Sequence, residues 1–127
     1  MNIYYDFHIH SCLSPCGDDD NTPNNIVNMA LIKGLNAIAL SDHNTGKNCP
    51  ATIAAGKKNG LVVLPAMELT TSEDIHVLCL FEKYEQLAAL EEYIAPRRLR
   101  IKNREEIFGR QLIMNEFDEV IGREDDL

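Results

Sequence analysis

Asn36-Ala37-Ile38-Ala39-Leu40-Ser41-Asp42-His43-Asn44 is the stretch on which the fold turns. From Asn36 to Leu40 it is a short apolar run without polar alternation, the pattern of a strand covered on both faces. It ends in a polar Ser-Asp-His-Asn segment. On its amino side, Thr22-Pro23 opens a helix, with Thr22 as N-cap and Pro23 at the first helical position. Ile26, Met29, Ala30 and Lys33 follow at helical spacing, and Gly34 supplies the stop. On its carboxyl side a second helix is expected from Pro50 to about Lys58, closed by Asn59-Gly60. Leu61-Val62-Val63-Leu64 then forms a strand that continues through Pro65-Ala66-Met67 to Glu68. At the amino terminus, Asn2-Ile3-Tyr4-Tyr5 reads as a strand of β-branched and aromatic type.

The order is therefore strand, helix, strand, helix, strand. Crossovers of this length imply parallel strands with helices outside, hence an α/β sheet or part of a barrel. The next apolar run, Ile75 to Phe81, breaks the alternation. Only six residues separate it from Glu68, whereas a parallel crossover needs roughly a dozen. The two runs are expected to form a β-hairpin around residues 61–81, joined near Thr71-Ser72-Glu73. A turn centred on Ser72 would set Glu68 and His76 opposite each other on one face.

Tyr84 to Ile94 reads as a helix with Leu87, Leu90 and Ile94 on its core stripe, ended by Pro96. A basic cluster follows at Arg97, Arg98, Arg100, Lys102 and Arg104. Leu112-Ile113-Met114 and Val120-Ile121 suggest a second hairpin near residues 111–121, turning at Glu116-Phe117-Asp118. The acidic end, Arg123 to Leu127, is expected to fray.

A chain of 127 residues makes one domain or a piece of one, large enough for a single modest core, and a hydrophobic fraction of 45% excludes wholesale disorder. The net charge of −8 argues against non-specific affinity for nucleic acid or anionic membrane, although a divalent metal could reverse the local field for a phosphate ligand. Met1 to Asp6 lacks both a basic region and an apolar run, and no stretch approaches the roughly 20 apolar residues that span a bilayer. The expected location is the cytoplasm. There, Cys12, Cys16, Cys49 and Cys79 are expected to be free thiols.

The four histidines carry the functional signal. His8 and His10 fall at the carboxyl end of the first strand, where residues two apart share a face. His43 ends the second strand and His76 faces Glu68 across the hairpin. Asp42 stands beside His43, and Asp18, Asp19 and Asp20 lie in the first loop. In parallel α/β sheets, chemistry gathers at the carboxyl ends of strands. Imidazoles mixed with carboxylates suit Zn²⁺, Mn²⁺ or Fe²⁺, whereas calcium would want oxygen throughout and structural zinc would want thiolates. Glu68 is the natural bridge between two ions about 3.5–4 Å apart. The implied reaction is metal-assisted hydrolysis of a phosphate ester.

These residues resemble a known family. Asp6-Phe7-His8-Ile9-His10-Ser11, Thr22-Pro23, Ser41-Asp42-His43-Asn44, and Glu68 followed by His76 look like the first motifs of the PHP (polymerase and histidinol phosphatase) superfamily, in the family's order. The resemblance implies a distorted seven-stranded (β/α)7 barrel with a trinuclear centre that hydrolyses phosphoesters. By analogy His8, His10 and Glu68 bind one metal, Glu68 and His76 share a second, and Asp18 and His43 serve a third. Asp42 then orients His43 or a water. The family places a single Asp-Gly in the first loop. Here the loop is longer and ends in three aspartates; Asp18 fits the family spacing to Pro23, with Asp19 and Asp20 as competitors. The family's later motifs, a further His and an Asp-x-His, are absent. The 127 residues are accordingly expected to form a single PHP-like domain cut short at its carboxyl end, a partial barrel.

The resulting expectation is a cytoplasmic phosphoesterase with two or three Mn²⁺, Zn²⁺ or Fe²⁺ ions. Glu68 and Asp42 are its catalytic candidates, and a metal-bound hydroxide is the nucleophile. The loop Ser14-Pro15-Cys16-Gly17 and the following Thr22-Pro23-Asn24-Asn25 resemble small phosphoesterases acting on nucleotides or short RNA. Arg97 and Arg98 are candidates for gripping a substrate phosphate; a solvated segment paired with Glu91, Glu92, Glu105 and Glu106 is the alternative reading. Beside the enzyme stand a non-catalytic metal-binding or structural module, including a zinc site through Cys12 and Cys16, and an inactive fragment. No membrane partner is expected.

Overall fold

The structure, a computed structural model, describes residues 1–127. Three parallel strands form its frame: β1 (Tyr5–Ile9), β2 (Ala37–Leu40) and β3 (Val62–Thr70), with β4 (His76–Leu80) antiparallel on the edge, in the order β1-β2-β3-β4. β2 behaves as its lack of alternation requires: Ile38, Ala39 and Leu40 are all fully buried, so both faces are covered.

The crossovers are α1 (Pro23–Ile32) and α2 (Cys49–Asn59), which pack against each other. Thr22 caps α1 by accepting from the Asn25 N–H, and Gly34 leaves the helix at φ +75°; Gly60 closes α2 at φ +72°. The core joins Ile26, Val27 and Ala30 of α1 to Ile38 and Leu40, to Ala55 of α2, to Met67, and to Leu87 and Ile94 of α3 (Tyr84–Ile94). Glu91 of α3 accepts from Thr45 Oγ1 at 2.7 Å and from the Gly46 N–H at 3.0 Å, which ties that helix to the loop after β2.

A second sheet, β5 (Leu112–Met114) with β6 (Val120–Arg123), docks on the loop after β1. The fully buried Asn48 fastens it, donating to Ser11 Oγ (2.9 Å) and Leu112 O (3.0 Å) and accepting from the Met114 N–H (2.8 Å). At the hairpin's turn, Asp118 accepts from Thr22 Oγ1, from the Asn24 N–H (3.0 Å) and from Asn24 Nδ2 (2.9 Å), so it caps α1 from outside. The whole is an α/β half-barrel, a curled sheet of strands with helices against it.

Four local expectations differ. β1 starts at Tyr5 rather than Asn2, so His8 lies within the strand and His10 just past it; before it, Tyr4 exchanges hydrogen bonds with Asn36, and Ile3 and Tyr4 remain exposed. The β3–β4 turn centres on Glu73, pairing Thr70 with His76 and Glu68 with Leu78. Asp74 adopts φ +60° there, a conformation Asp tolerates, and this lengthens the turn. A short helix, α4 (Glu105–Phe108), interrupts the charged segment. The carboxyl end is tied down rather than frayed, through Asn103 N–H to Asp125 O and Leu127 N–H to Ile101 O, both 2.8 Å. No helix is long and apolar enough to cross a membrane.

Candidate metal centre

Glu68 is the hub. It is only 6% exposed, and the loop beyond β2 holds its backbone: Glu68 N–H donates to Asp42 O and Asn44 N–H to Glu68 O, each 3.0 Å, while Asn44 Oδ1 accepts from the Thr70 N–H at 2.9 Å. Asn44 takes φ +55°, which turns the chain back along β3. His43 and Glu68 are thereby bridged as an extension of the β2–β3 ladder.

Four imidazoles converge on this one carboxylate. His8 Nε2 lies 2.8 Å and His10 Nε2 2.6 Å from Oε2; His43 Nε2 is 3.9 Å from the same oxygen, and His76 Nδ1 is 2.9 Å from Oε1. The rings meet edge to face, with centroids 5.1 Å apart for His8 and His10, 4.5 Å for His10 and His43, and 5.5 Å for His43 and His76. His76 reaches Glu68 from a diagonal position, two residues along from the Leu78 it faces, rather than from directly opposite.

Burial works to raise the Glu68 carboxyl, but hydrogen bonds from His8, His76 and His10, with the charge of His43, outweigh it and hold it down to about 2. His43 is lowered, first by burial and then by repulsion from His10. Nitrogen and oxygen donors of His8, His10 and Glu68 lie within 4.8 Å of one another, as do those of His43, Glu68 and His76. One carboxylate shared by two imidazole sets is a donor arrangement that fits divalent transition metals.

Asp18 does not join the cluster. Its Oδ1 accepts from the Asp20 N–H at 2.8 Å, Asp19 pairs with Arg110 at 2.8 Å, and the Asp20 carbonyl accepts from Asn25 Nδ2 at 2.8 Å. The first loop instead brings Cys16, whose Sγ is 2.9 Å from His10 Nδ1 and which forms a third donor group with His10 and His43. Sequence reasoning weighed Cys16 only with Cys12, for structural zinc or packing. The available signal was its place directly before Gly17, as the family's aspartate precedes a glycine. Gly17 is required there, since a Cβ would lie 2.0 Å from Ser11 O. Cys12 turns inward, its thiol donating to Leu112 O, and burial pushes that thiol up to about 12.

Asp42 faces away from the imidazoles. Only 1% exposed, it accepts from the Ser11 N–H, Ser11 Oγ and Ser14 Oγ, all at 2.7 Å. Burial pushes its carboxyl up against the pull of these hydrogen bonds. Ser14 Oγ in turn accepts from the His43 N–H at 3.1 Å, so Asp42 fixes the loop and the backbone of His43 together.

Arg97 stacks on Tyr93, 3.9 Å from its ring centre, and Arg98 donates to Leu127 O at 3.1 Å. Both line a cleft of about 520 Å³ shared with Asn44, Thr70 and Thr71, the segments that adjoin His43 and His76. The basic segment also pairs within itself and with the tail, through Arg104 with Glu106 (3.9 Å) and Arg100 with Asp126 (3.8 Å). Glu91 is taken by α3's tie to Thr45 and Gly46. On the other side of His10, a cleft of about 530 Å³ runs along Asp20, Asn25 and Met29.

The chain is 32% identical over 87 residues to a 5'-3' exoribonuclease of Haemophilus influenzae, an alignment covering 65% of this chain and 31% of that protein. Among solved structures it resembles one from Bifidobacterium adolescentis described as a metal-dependent phosphoesterase, with TM-score 0.56 and 24% identity over 77% of this chain and 35% of that one. It also resembles one from Chromobacterium violaceum described as an amidohydrolase, with TM-score 0.56 and 26% identity over 76% of this chain and 34% of that one. The chain thus spans about a third of the length of these relatives. A match to the PHP domain over residues 6–122 covers β1 through the second hairpin, and the chain belongs to the PHP domain family.

Proposed function

We propose that this chain carries the metal centre of a phosphoesterase acting on nucleotides or short RNA, with two or three Mn²⁺, Zn²⁺ or Fe²⁺ ions held by His8, His10, His43, Glu68 and His76. The observation that carries the reading is the single buried carboxylate met by four imidazoles from three separate segments: β1 and its end, the loop after β2, and β4. An unpaired buried glutamate would be costly, and hydrogen bonds alone do not need four histidines on one face. Bound ions would supply Lewis acidity toward a phosphoryl oxygen and acidify a water. The chain's own residues do the rest. Glu68 stays ionised, offers both oxygens and fixes the spacing of the imidazoles around it. His8 and His76, about half exposed, leave an open side for substrate. Arg97 and Arg98 stand at the neighbouring cleft as phosphate-binding candidates. The exoribonuclease relative supports a nucleic-acid substrate. All four cysteines are free thiols, which supports the cytoplasm as the location.

The test is hydrolysis of a chromogenic phosphoester and of a 5'-phosphorylated oligoribonucleotide by metal-loaded protein. His8→Ala and Glu68→Gln should each lower the rate by a factor of at least about 100. Activity unaffected by both substitutions would sink the proposal. A second reading is a metal-binding module without turnover, built on the same donor groups, His8, His10 and Glu68 with His43, Glu68 and His76. Tight metal uptake abolished by Glu68→Gln, with no hydrolysis by the wild type, would select it.

A further inference from the structure

We propose that Cys16 is a metal ligand, and that the set Cys16, His10 and His43 biases the centre toward zinc or ferrous iron and away from manganese and magnesium. This rests on the reading that the imidazole cluster binds divalent metal. The thiol sits 2.9 Å from His10 Nδ1 and within 4.8 Å of the donor atoms of both His10 and His43. It is the one cysteine directed at imidazoles. The thiols of Cys12 and Cys49 are buried and donate to the carbonyls of Leu112, Leu40 and Ala66, while Cys79 donates to Val77 O.

A second observation concerns the loop that presents it. Ser14 N–H donates to Ser11 O and Gly17 N–H to Ser14 O, two successive turns whose serines are both anchored on the buried Asp42 carboxylate. The backbone at Gly17 is pressed so close to Ser11 O that no side chain fits there. Cys16 itself is exposed, and its Sγ is presented by a loop whose anchors, Ser11, Ser14 and Asp42, are buried. No carboxylate of Asp18, Asp19 or Asp20 belongs to the donor groups around His10 and His43.

The chemistry follows from ligand softness. On binding, the S–H bond is exchanged for a sulfur–metal bond and the proton leaves to solvent. A thiolate favours Zn²⁺ and Fe²⁺, whereas a carboxylate at this position would suit Mn²⁺ or Mg²⁺. His10 offers Nε2 to the Glu68 side and Nδ1 to the Cys16 side, so its ring joins the two donor sets.

Titration of metal-stripped protein with Co²⁺ tests this without recourse to activity. The wild type and Cys79→Ser should develop a sulfur-to-cobalt charge-transfer band in the near ultraviolet. Cys16→Ser and Cys16→Asp, checked for unchanged far-ultraviolet circular dichroism, should lack it. In competition experiments the preference for Zn²⁺ over Mn²⁺ should fall by at least about tenfold in Cys16→Asp. Co²⁺ taken up by the wild type without the band would overturn the ligand assignment alone, leaving Cys16 a hydrogen-bond partner of His10. A band that survives Cys16→Ser would do the same. No Co²⁺ uptake at all would overturn the metal centre and the ligand together.

Discussion

Truncating Asn48 to alanine should loosen the second hairpin from the loop that carries Cys16, at a cost that can be worked from its contacts. Asn48 is fully buried and makes three hydrogen bonds of 2.8–3.0 Å, to Ser11 Oγ, Leu112 O and the Met114 N–H. Each contributes about 1 kcal/mol net, about 3 kcal/mol for the three. Removing a buried carboxamide also leaves a void, adding about 1 kcal/mol. The total is about 4 kcal/mol, which for a domain of this size lowers the melting temperature by roughly 12–20 °C. Asn48→Asp should cost at least as much, because a carboxylate oxygen would then face the Leu112 carbonyl instead of donating to it. Thermal unfolding followed by circular dichroism measures both. Two variants that melt within about 2 °C of the wild type would refute the idea that this side chain fastens the hairpin.

Three further outcomes are expected. Asp42→Ala, which strands two serine hydroxyls and the Ser11 N–H, should destabilise by about 3 kcal/mol in chemical unfolding; a loss below about 1 kcal/mol would mean that Asp42 does not hold the loop. Gly17→Ala, whose Cβ would stand 2.0 Å from Ser11 O, should displace the Cys16 turn and abolish the sulfur-to-cobalt band even where the protein remains folded. Metal-free protein should lose stability in acid partly through Glu68. Its folded value of about 2 lies below the ordinary 4.5, so its contribution is full above 4.5 and is lost as pH falls toward 2. Between about pH 5 and pH 3, urea unfolding should show a shallower loss for Glu68→Gln than for the wild type, and parallel curves would count against that assignment.

Much of this architecture was legible because it rests on local rules. The unalternating run before Ser41 identified a strand buried on both faces, Thr22-Pro23 and Gly34 bounded α1, and the six-residue gap after Glu68 required a hairpin. The histidines were legible as a group because each stands at a strand end. What escaped depends on where chain segments far apart in sequence come to rest. Nothing local distinguishes Asp18 from Cys16 as the group turned toward His10; the close approach of Gly17 to Ser11 decides it. Asp42 reads as an active-site acid beside His43, and only the folded loop shows its carboxylate committed to Ser11 and Ser14. The carboxyl end reads as a frayed acidic tail, since its partners at Ile101 and Asn103 are set by tertiary pairing rather than by pattern.

The cap that Asp118 places on α1 has a consequence for the order of folding. The two partners are 94 to 96 residues apart in sequence, so although Thr22 caps the first turn locally, the Thr22 hydroxyl and the Asn24 N–H gain this second partner only after a loop of nearly that length has closed. Helix initiation is the unfavourable step of helix formation, and contacts of such long range are slow to form. The outer half of the cap at Thr22–Asn24 therefore arrives with the docking of the hairpin, after the first helical turn has formed on Thr22. On a chain emerging from the ribosome, the first helix can start on Thr22 alone, while its second cap waits for residue 118.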